Sequence, residues 1–271
     1  MKKSGWGFLV LAVMITSVFC IISCANATPQ DDAKNFNAQG YELYLQGKYE
    51  EALPLFEKAF TADPNNSLAH YNYACTLGAL MKIDYPTWFS FKEAAIEHLK
   101  LTVKLDRASI TKIKKDKDLE VLHKEFHYYR VIGLSTDRSD DVREILCSLT
   151  WYVHGEGVFA VLGGMQFIKD VNKDNTKDGT FKIWFHSSDF FENPDTAKDI
   201  TYTGKFSVNG NRIEMKLDKP MLRKRSIEDI FSNKDKKEKE EILKAKLKSD
   251  GSLEFEGFEY KMFSWFDEFS A

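Results

Sequence analysis

Residues 33–66 decide the fold of the first half of the chain, and they read AKNFNAQGYELYLQGKYEEALPLFEKAFTADPNN. Apolar and small residues recur at helical spacing on both sides of Gly47-Lys48. This pattern predicts two amphipathic helices joined by a short turn at that dipeptide. Pro64 lies at the end of the second helical pattern, and we expect it to end that helix because proline cannot continue the hydrogen-bond ladder.

The same 34 residues resemble one tetratricopeptide repeat, a helical hairpin of this length. Counted from Ala33 as position 1, the signature positions of that family carry Gly40, Ala52, Phe56, Ala59 and Pro64. The resemblance implies that Gly40 and Ala52 let the two helices approach closely. It also implies that Phe56 and Ala59 pack against a following repeat.

A second repeat is predicted over residues 67–106, with about nine residues inserted around 81–89. Residues 107–134 then show apolar positions at helical spacing, and we interpret them as a degenerate capping pair. Solenoid arrays need about three units and an atypical end. The sequence therefore predicts a helical domain over residues 33–134.

The N-terminus has the features of an export signal. Lys2 and Lys3 precede an apolar stretch from Trp6 to Ile22, which is short for a membrane-spanning helix. The tetrapeptide Ile21-Ile22-Ser23-Cys24 resembles the lipobox of bacterial lipoproteins. The resemblance implies a signal peptide over residues 1–23 and a lipidated Cys24 at the start of a polar tether, residues 24–32. The alternative is an uncleaved membrane anchor.

A bacterial lipoprotein belongs to the cell envelope and is held to its membrane by the N-terminal lipid. Ala25 follows the lipidated cysteine, so the aspartate that retains some lipoproteins in the inner membrane is absent. We therefore expect the outer membrane where the cell has one.

The second half of the chain is rich in strand signals. A polar linker is predicted over residues 135–144, followed by an antiparallel β domain over residues 145–271. Asn209-Gly210 is a strong hairpin signal, and a loop of these two residues would pair Phe206 with Ile213. It would also pair Gly204 with Met215 and Tyr202 with Leu217.

A second hairpin surrounds Ser249-Asp250-Gly251. A three-residue loop with Gly251 in the left-handed conformation would pair Leu247 with Leu253 and Ala245 with Phe255. Further strands are predicted at 148–153, 158–168, 180–187 and 257–264. The charged segment 223–243 is predicted to be a helix.

The fold class is therefore α+β, with helical hairpins followed by an antiparallel meander or barrel. This second half resembles the small lipocalin-like barrels of bacterial envelopes. The formal net charge of the chain is −3, which gives no reason to expect a nucleic-acid partner.

The sequence contains no recognised catalytic or nucleotide-binding motif. Asp170, Asn172, Asp174 and Asp178 have part of the spacing of a calcium loop, but Phe181 stands where a bidentate glutamate is needed. A polar turn is the alternative interpretation of this loop. His123 and His127 share a helix face without the motif of a zinc site. We predict no metal, no cofactor and no enzymatic activity. We expect Cys75 and Cys147 to be buried free thiols, and the alternative is a disulfide, which an oxidising compartment would permit.

The resemblance to tetratricopeptide repeats implies a concave groove lined by first-helix positions. The candidate partner-binding residues are Lys34, Asn37, Tyr41, Tyr44 and Tyr71. The carboxylate clamp of that family is not expected, because Asn37 and Tyr41 stand where the clamp has lysine and asparagine. The alternative is that these tyrosines pack against the third helical pair or the β domain.

The sequence thus predicts a membrane-anchored adaptor that binds an envelope protein or peptide. A first rival is a protein that binds a small molecule or a lipid inside the β domain, which a closed barrel with an open apolar lumen would favour. A second rival is an enzyme that acts on the cell wall through residues dispersed in sequence.

Overall fold

A computed structural model describes residues 28–154, 161–170, 178–185, 200–219, 242–256 and 261–263. The predicted signal peptide and Cys24 lie outside these residues. So do most of the candidate calcium loop and most of the helix predicted over residues 223–243.

Helices form the part of the chain that precedes the sheet. Their bounds are α1 Pro29–Leu45, α2 Tyr49–Ala62, α3 Ser67–Ile83, α4 Tyr85–Trp88, α5 Lys92–Leu105, α6 Ile110–Ile113, α7 Phe126–Val131 and α8 Ser139–Ser148. Short 3₁₀ helices cover Phe89–Phe91, Arg107–Ser109 and Lys117–Lys124.

Helix α1 begins earlier than predicted, within the segment assigned to the tether. The Thr28 hydroxyl accepts a hydrogen bond from the backbone N–H of Asp31, and the Asp31 carboxylate accepts one from the backbone N–H of Thr28. Pro29 at the first helical position loses no hydrogen bond, because that amide has no partner in a helix. This capping box makes residues 29–32 helical. The last four residues of the segment predicted as a tether, 24–32, therefore belong to helix α1.

Helices α1 and α2 form the predicted hairpin. Gly47 in the connecting turn has a φ of +74°, a backbone conformation that favours glycine. A Cβ at Gly40 would lie 2.9 Å from the Phe56 ring, so the small residue is needed where the two helices cross. Ala52 and Ala59 are fully buried.

Helix α3 is the centre of the helical part. It is buried almost continuously from Ala69 to Met81 and packs against α2, α5 and the 3₁₀ helix Lys117–Lys124. The inserted residues after it form α4 and the 3₁₀ turn Phe89–Phe91. The predicted capping region is helical in short pieces, and it covers one side of α3.

The predicted linker, residues 135–144, contains the beginning of helix α8. Val142, Ile145 and Leu146 are fully buried at a spacing of three and four residues, and α8 packs against two strands of the sheet. The charged residues on its other face made this short amphipathic pattern resemble a polar linker.

The sheet is antiparallel, and each strand pairs with its neighbour in sequence. The strands are β1 Thr150–His154, β2 Val161–Lys169, β3 Asp178–Phe185, β4 Ile200–Asn209, β5 Arg212–Leu217, β6 Ile242–Leu247, β7 Leu253–Phe255 and β8 Lys261–Phe263. The short strand β8 also pairs with β1, through Tyr152 with Phe263 and Val153 with Met262, and closes the curled sheet into a ring.

The β4–β5 hairpin has a different register from the predicted one. Phe206 pairs with Met215 and Gly204 with Leu217, so the two loop residues are Gly210 and Asn211. Gly210 has a φ of +60° and takes the first loop position, whereas the prediction placed glycine second. The shift of two residues leaves every side chain on its predicted face, because the side-chain period of a strand is two.

The β6–β7 hairpin has the predicted register. Leu247 pairs with Leu253 and Ala245 with Phe255, and Gly251 has a φ of +87°. Strand β6 begins at Ile242, so the last two residues of the helix predicted over 223–243 belong to a strand instead. Alternating burial along β6 explains why the strand forms there.

One continuous apolar core runs from the helices into the sheet. The Trp151 indole N–H donates to the Leu146 carbonyl at 3.3 Å, which joins β1 to the end of α8. A Cβ at Gly251 would lie 2.5 Å from the Phe126 ring, so the β6–β7 hairpin is packed directly on α7. Within the described residues, no helix has both the length and the apolarity to cross a membrane.

Candidate functional site

A small cavity opens between α1, α3, α6 and the segment that follows α6. It is lined by Tyr41, Tyr44, Tyr71, Asn72, Cys75, Lys112 and Asp116, and its volume is about 90 Å³. We call this cavity and its rim the tyrosine groove. Sites for drug-sized ligands have volumes of roughly 300–1,000 Å³, so this cavity matches one side chain rather than a whole small molecule.

The tyrosine rings form one wall of the groove. Tyr41 is 45% exposed, and its ring stacks on Tyr44 with a centroid distance of 5.9 Å and an interplanar angle of 13°. Tyr49 packs edge-on against Tyr44 at 5.3 Å, which holds that ring in place. The exposed face of Tyr41 is therefore presented on a rigid support.

Two of the three groove tyrosines use their hydroxyl groups within the protein. Tyr44 donates to the Asp118 carboxylate, and Tyr71 donates to the Asp116 carboxylate. Burial is the main cause that raises the pKa of both tyrosines, and the neighbouring carboxylates add to it. Both phenols therefore stay protonated and act as hydrogen-bond donors.

Asp116 is held by several donors besides Tyr71. The backbone N–H of Asp118 donates to Oδ1 at 3.0 Å, and the Cys75 thiol lies 3.4 Å from Oδ2. Burial, with the nearby Asp116 charge, raises the pKa of the Cys75 thiol well above its ordinary value. This free cysteine is thus a protonated donor in the wall, since the reactive form of a cysteine is the thiolate.

Lys112 brings a positive charge to the groove. Its ammonium lies 3.7 Å from the centroid of the Tyr71 ring, a cation–π geometry. The side chain is otherwise exposed to solvent. No ion pair among the described residues uses this ammonium, so it remains able to bind an anion.

Two buried asparagines adjoin the tyrosine groove. The Asn72 side-chain N–H donates to Asn37 Oδ1 at 3.0 Å. The other two side-chain atoms of this pair have no hydrogen-bond partner within the described part of the chain; they are Asn37 Nδ2 and Asn72 Oδ1. Asn72 lines the cavity and Asn37 does not, so the hydrogen bond fixes the position of the Asn72 amide in the wall of the groove.

The structure thus brings together three of the five predicted groove residues, Tyr41, Tyr44 and Tyr71. Asn37 does not line the cavity, but it accepts a hydrogen bond from Asn72, which does. Lys34 is exposed on α1 and does not line the cavity. The structure also shows the contact that the alternative interpretation described, because Asp116 and Asp118 of the following segment accept hydrogen bonds from the Tyr71 and Tyr44 hydroxyls.

Sequence reasoning did not select Lys112, Asp116 or Asn72. Lys112 and Asp116 lie outside the repeat template, in a segment interpreted only as a cap. The charge-rich sequence KIKKDKD at 112–118 was the available signal, but such runs are usually solvated and do not indicate which charges turn inward.

A separate polar cluster lies between α3 and α5. His70 Nδ1 is 2.9 Å from His98 Nδ1, and His70 Nε2 is 3.0 Å from the Pro64 carbonyl. Phe60 stacks on His70 and Tyr73 contacts His98, so the pair is enclosed by aromatic rings. These histidines support helix packing and belong to no cavity with the tyrosine groove.

The other candidate residues have structural partners. His123 Nε2 lies 3.0 Å from the Tyr128 hydroxyl, and no group of three metal-ligating side chains occurs among the described residues. In the described strands, inward aromatic rings pack on one another, and the ring centroids of Phe206 and Phe167 are 4.9 Å apart. This part of the sheet interior is a packed core.

Comparisons with known proteins give no match to a family model, to a curated protein or to a solved structure.

Proposed function

We propose that this chain is a lipid-anchored protein of the bacterial cell envelope and that it serves as an adaptor, binding another envelope protein through the tyrosine groove. The observation that carries the proposal is the exposed Tyr41 ring, stacked on Tyr44 beside a cavity of side-chain size. Tyrosine is a favoured interface anchor because it buries a large area at low entropy cost.

The size of the cavity supports a protein partner over a small-molecule ligand. About 90 Å³ accepts one side chain of a docked segment. Asn72, held by its hydrogen bond to Asn37, adds a side-chain amide to the cavity wall that can hydrogen-bond to the same segment. The cavity wall thus combines aromatic rings with polar groups.

Membrane anchoring rests on the sequence. Lys2 and Lys3, the apolar stretch after them and the tetrapeptide ending in Cys24 are the support. Several acyl chains on Cys24 would hold the protein firmly, because a single chain binds a membrane only marginally. Tetratricopeptide-type repeats remain our interpretation of the hairpin formed by α1 and α2.

A capture experiment tests the adaptor role. The full chain, purified in detergent and immobilised, is exposed to solubilised envelope from the native host. The test variant is Tyr41→Ala, and the control is Tyr85→Ala, which removes a tyrosine of similar exposure, 47%, that does not line the cavity. We expect one retained protein that is lost with Tyr41→Ala and kept with Tyr85→Ala. Equal retention by both variants would contradict the proposal.

The anchor has its own test. Mass spectrometry of the N-terminal peptide should find a chain that begins at a lipidated Cys24, and Cys24→Ser should give a chain that carries no lipid and keeps its first residues. An unmodified Cys24 in a chain that keeps its first residues would show an uncleaved anchor instead.

A further inference from the structure

The segment 112–117 carries four lysines with exposed side chains, Lys112, Lys114, Lys115 and Lys117. We call these four residues the lysine edge. No ion pair among the described residues engages any of their ammonium groups. Lys112 also lines the cavity, so the lysine edge begins at the tyrosine groove, and Lys114, Lys115 and Lys117 follow it directly in the chain.

The acidic residues interleaved with these lysines turn inward. Asp116 accepts from Tyr71, from the Cys75 thiol and from the backbone N–H of Asp118. Asp118 accepts from Tyr44 and lies 3.5 Å from the Lys82 ammonium. Both carboxylates are therefore occupied by groups of the helical core, and the next exposed acid in the segment is Glu120.

This separation of charge makes the rim of the groove basic although the chain as a whole is acidic. The sequence mixes lysine and aspartate, but the fold leaves the four lysines in solvent, while Asp116 in the cavity wall and Asp118 accept hydrogen bonds from Tyr71 and Tyr44. A partner approaching the groove thus meets a local excess of positive charge, which attracts anionic groups and repels cationic ones.

We infer that the tyrosine groove selects an acidic peptide segment, with one apolar or aromatic side chain in the cavity and carboxylates on the lysine edge. This inference rests on the proposed function and specifies the chemistry of the partner. The cavity takes the side chain because three of its seven lining residues are tyrosines, and Lys112 is placed to pair with a carboxylate next to that side chain.

An anionic lipid surface is the other partner that lysines can bind. The observations favour a peptide, because a flat lipid surface does not use a cavity of side-chain size. We treat lipid binding as an outcome of the test.

The test is selection of a random heptapeptide library, displayed on phage, on the immobilised full chain in detergent. We expect the selected peptides to contain Asp and Glu at least about twofold above the unselected library, with an aromatic or aliphatic residue beside them. The double variant Lys112→Gln/Lys115→Gln should abolish this enrichment. The matched control Lys205→Gln changes an exposed lysine of β4 and should keep it.

The outcomes separate this inference from the proposed function. If selection depends on Tyr41 but shows no excess of acidic residues, the acidic chemistry is wrong and the groove is still a binding site. If Tyr41→Ala changes nothing in the selected set, both ideas fail. If no peptide is selected and vesicles with phosphatidylglycerol bind through the lysine edge, the inference is overturned in favour of lipid.

Discussion

Replacing Gly78 by alanine tests the close contact between α3 and the segment that carries Asp118. Gly78 lies inside α3, and a Cβ there would be 2.2 Å from the backbone oxygen of Asp118. Ordinary contacts are longer by about 1 Å or more, so the segment that carries Asp118 would have to move away from α3. The displaced atom belongs to the backbone, which cannot yield as the end of a side chain can.

The magnitude follows from three contributions. Alanine in place of glycine favours an exposed helix by about 1 kcal/mol. Overpacking a buried position costs about 1–3 kcal/mol. Displacing Asp118 also weakens its hydrogen bond from Tyr44, a bond to a charged group that contributes about 1.5–3 kcal/mol. We therefore expect Gly78→Ala to lower the free energy of unfolding by about 3 kcal/mol.

The assay is thermal unfolding of the full chain in nonionic detergent, followed by circular dichroism. A loss of this size corresponds to a decrease in Tm on the order of 6–12 °C for a chain of this length. Gly40→Ala is the comparison, because its Cβ would meet the Phe56 side chain at 2.9 Å and a smaller decrease is expected. An unchanged or higher Tm for Gly78→Ala would contradict the close contact between α3 and Asp118, since helix propensity alone predicts that result.

Three further predictions concern the surrounding packing. Asn72→Leu should destabilise the chain by about 1–3 kcal/mol, because the buried Asn37 amide loses its partner, and the double variant with Asn37→Leu should cost less than the sum of the single ones in thermal unfolding. Burial lowers the pKa of His98 to about 4, below its ordinary value of 6.5, so its neutral form stabilises the fold above pH 6.5. Stability should fall as pH decreases from 6.5 towards 4, by on the order of 1 kcal/mol after allowance for solvent screening, and His98→Gln should flatten this slope in pH-dependent melting. Gly251→Ala should destabilise more than Gly47→Ala by about 1–3 kcal/mol, because both need a positive φ but only Gly251 lies against an aromatic ring; equal losses would contradict the packing of the β6–β7 hairpin on α7.

Local sequence signals correctly predicted the turns, because the geometry of a turn depends on residues that are neighbours in sequence. The turn at Gly47 and the Gly251 loop each need a left-handed glycine, and glycine is one of the few residues that adopts that conformation at little cost. The β6–β7 register followed because only one loop length placed Leu247 opposite Leu253.

The errors arose where two local signals competed. Asn209-Gly210 favours one two-residue loop, but Gly210-Asn211 can form another, and alternating burial is identical for both registers. Helix α8 is short, and its three core residues lie among charged residues that gave the segment the composition of a linker.

The groove was predicted only in part because its second wall comes from a segment without a repeat pattern. The positions of Tyr41, Tyr44 and Tyr71 follow from helix geometry. Which charges of residues 112–118 face α3 depends on tertiary contacts with Tyr44 and Tyr71, and no local spacing encodes those contacts.

Site-specific photo-crosslinking in cells of the native host tests whether the tyrosine groove binds a partner protein. A photoreactive phenylalanine analogue replaces Tyr41 in one strain and Tyr85, equally exposed but outside the groove, in another. We expect one discrete crosslinked envelope protein from position 41 that is absent from position 85. No adduct at position 41, or the same adducts at both positions, would contradict a partner-binding groove.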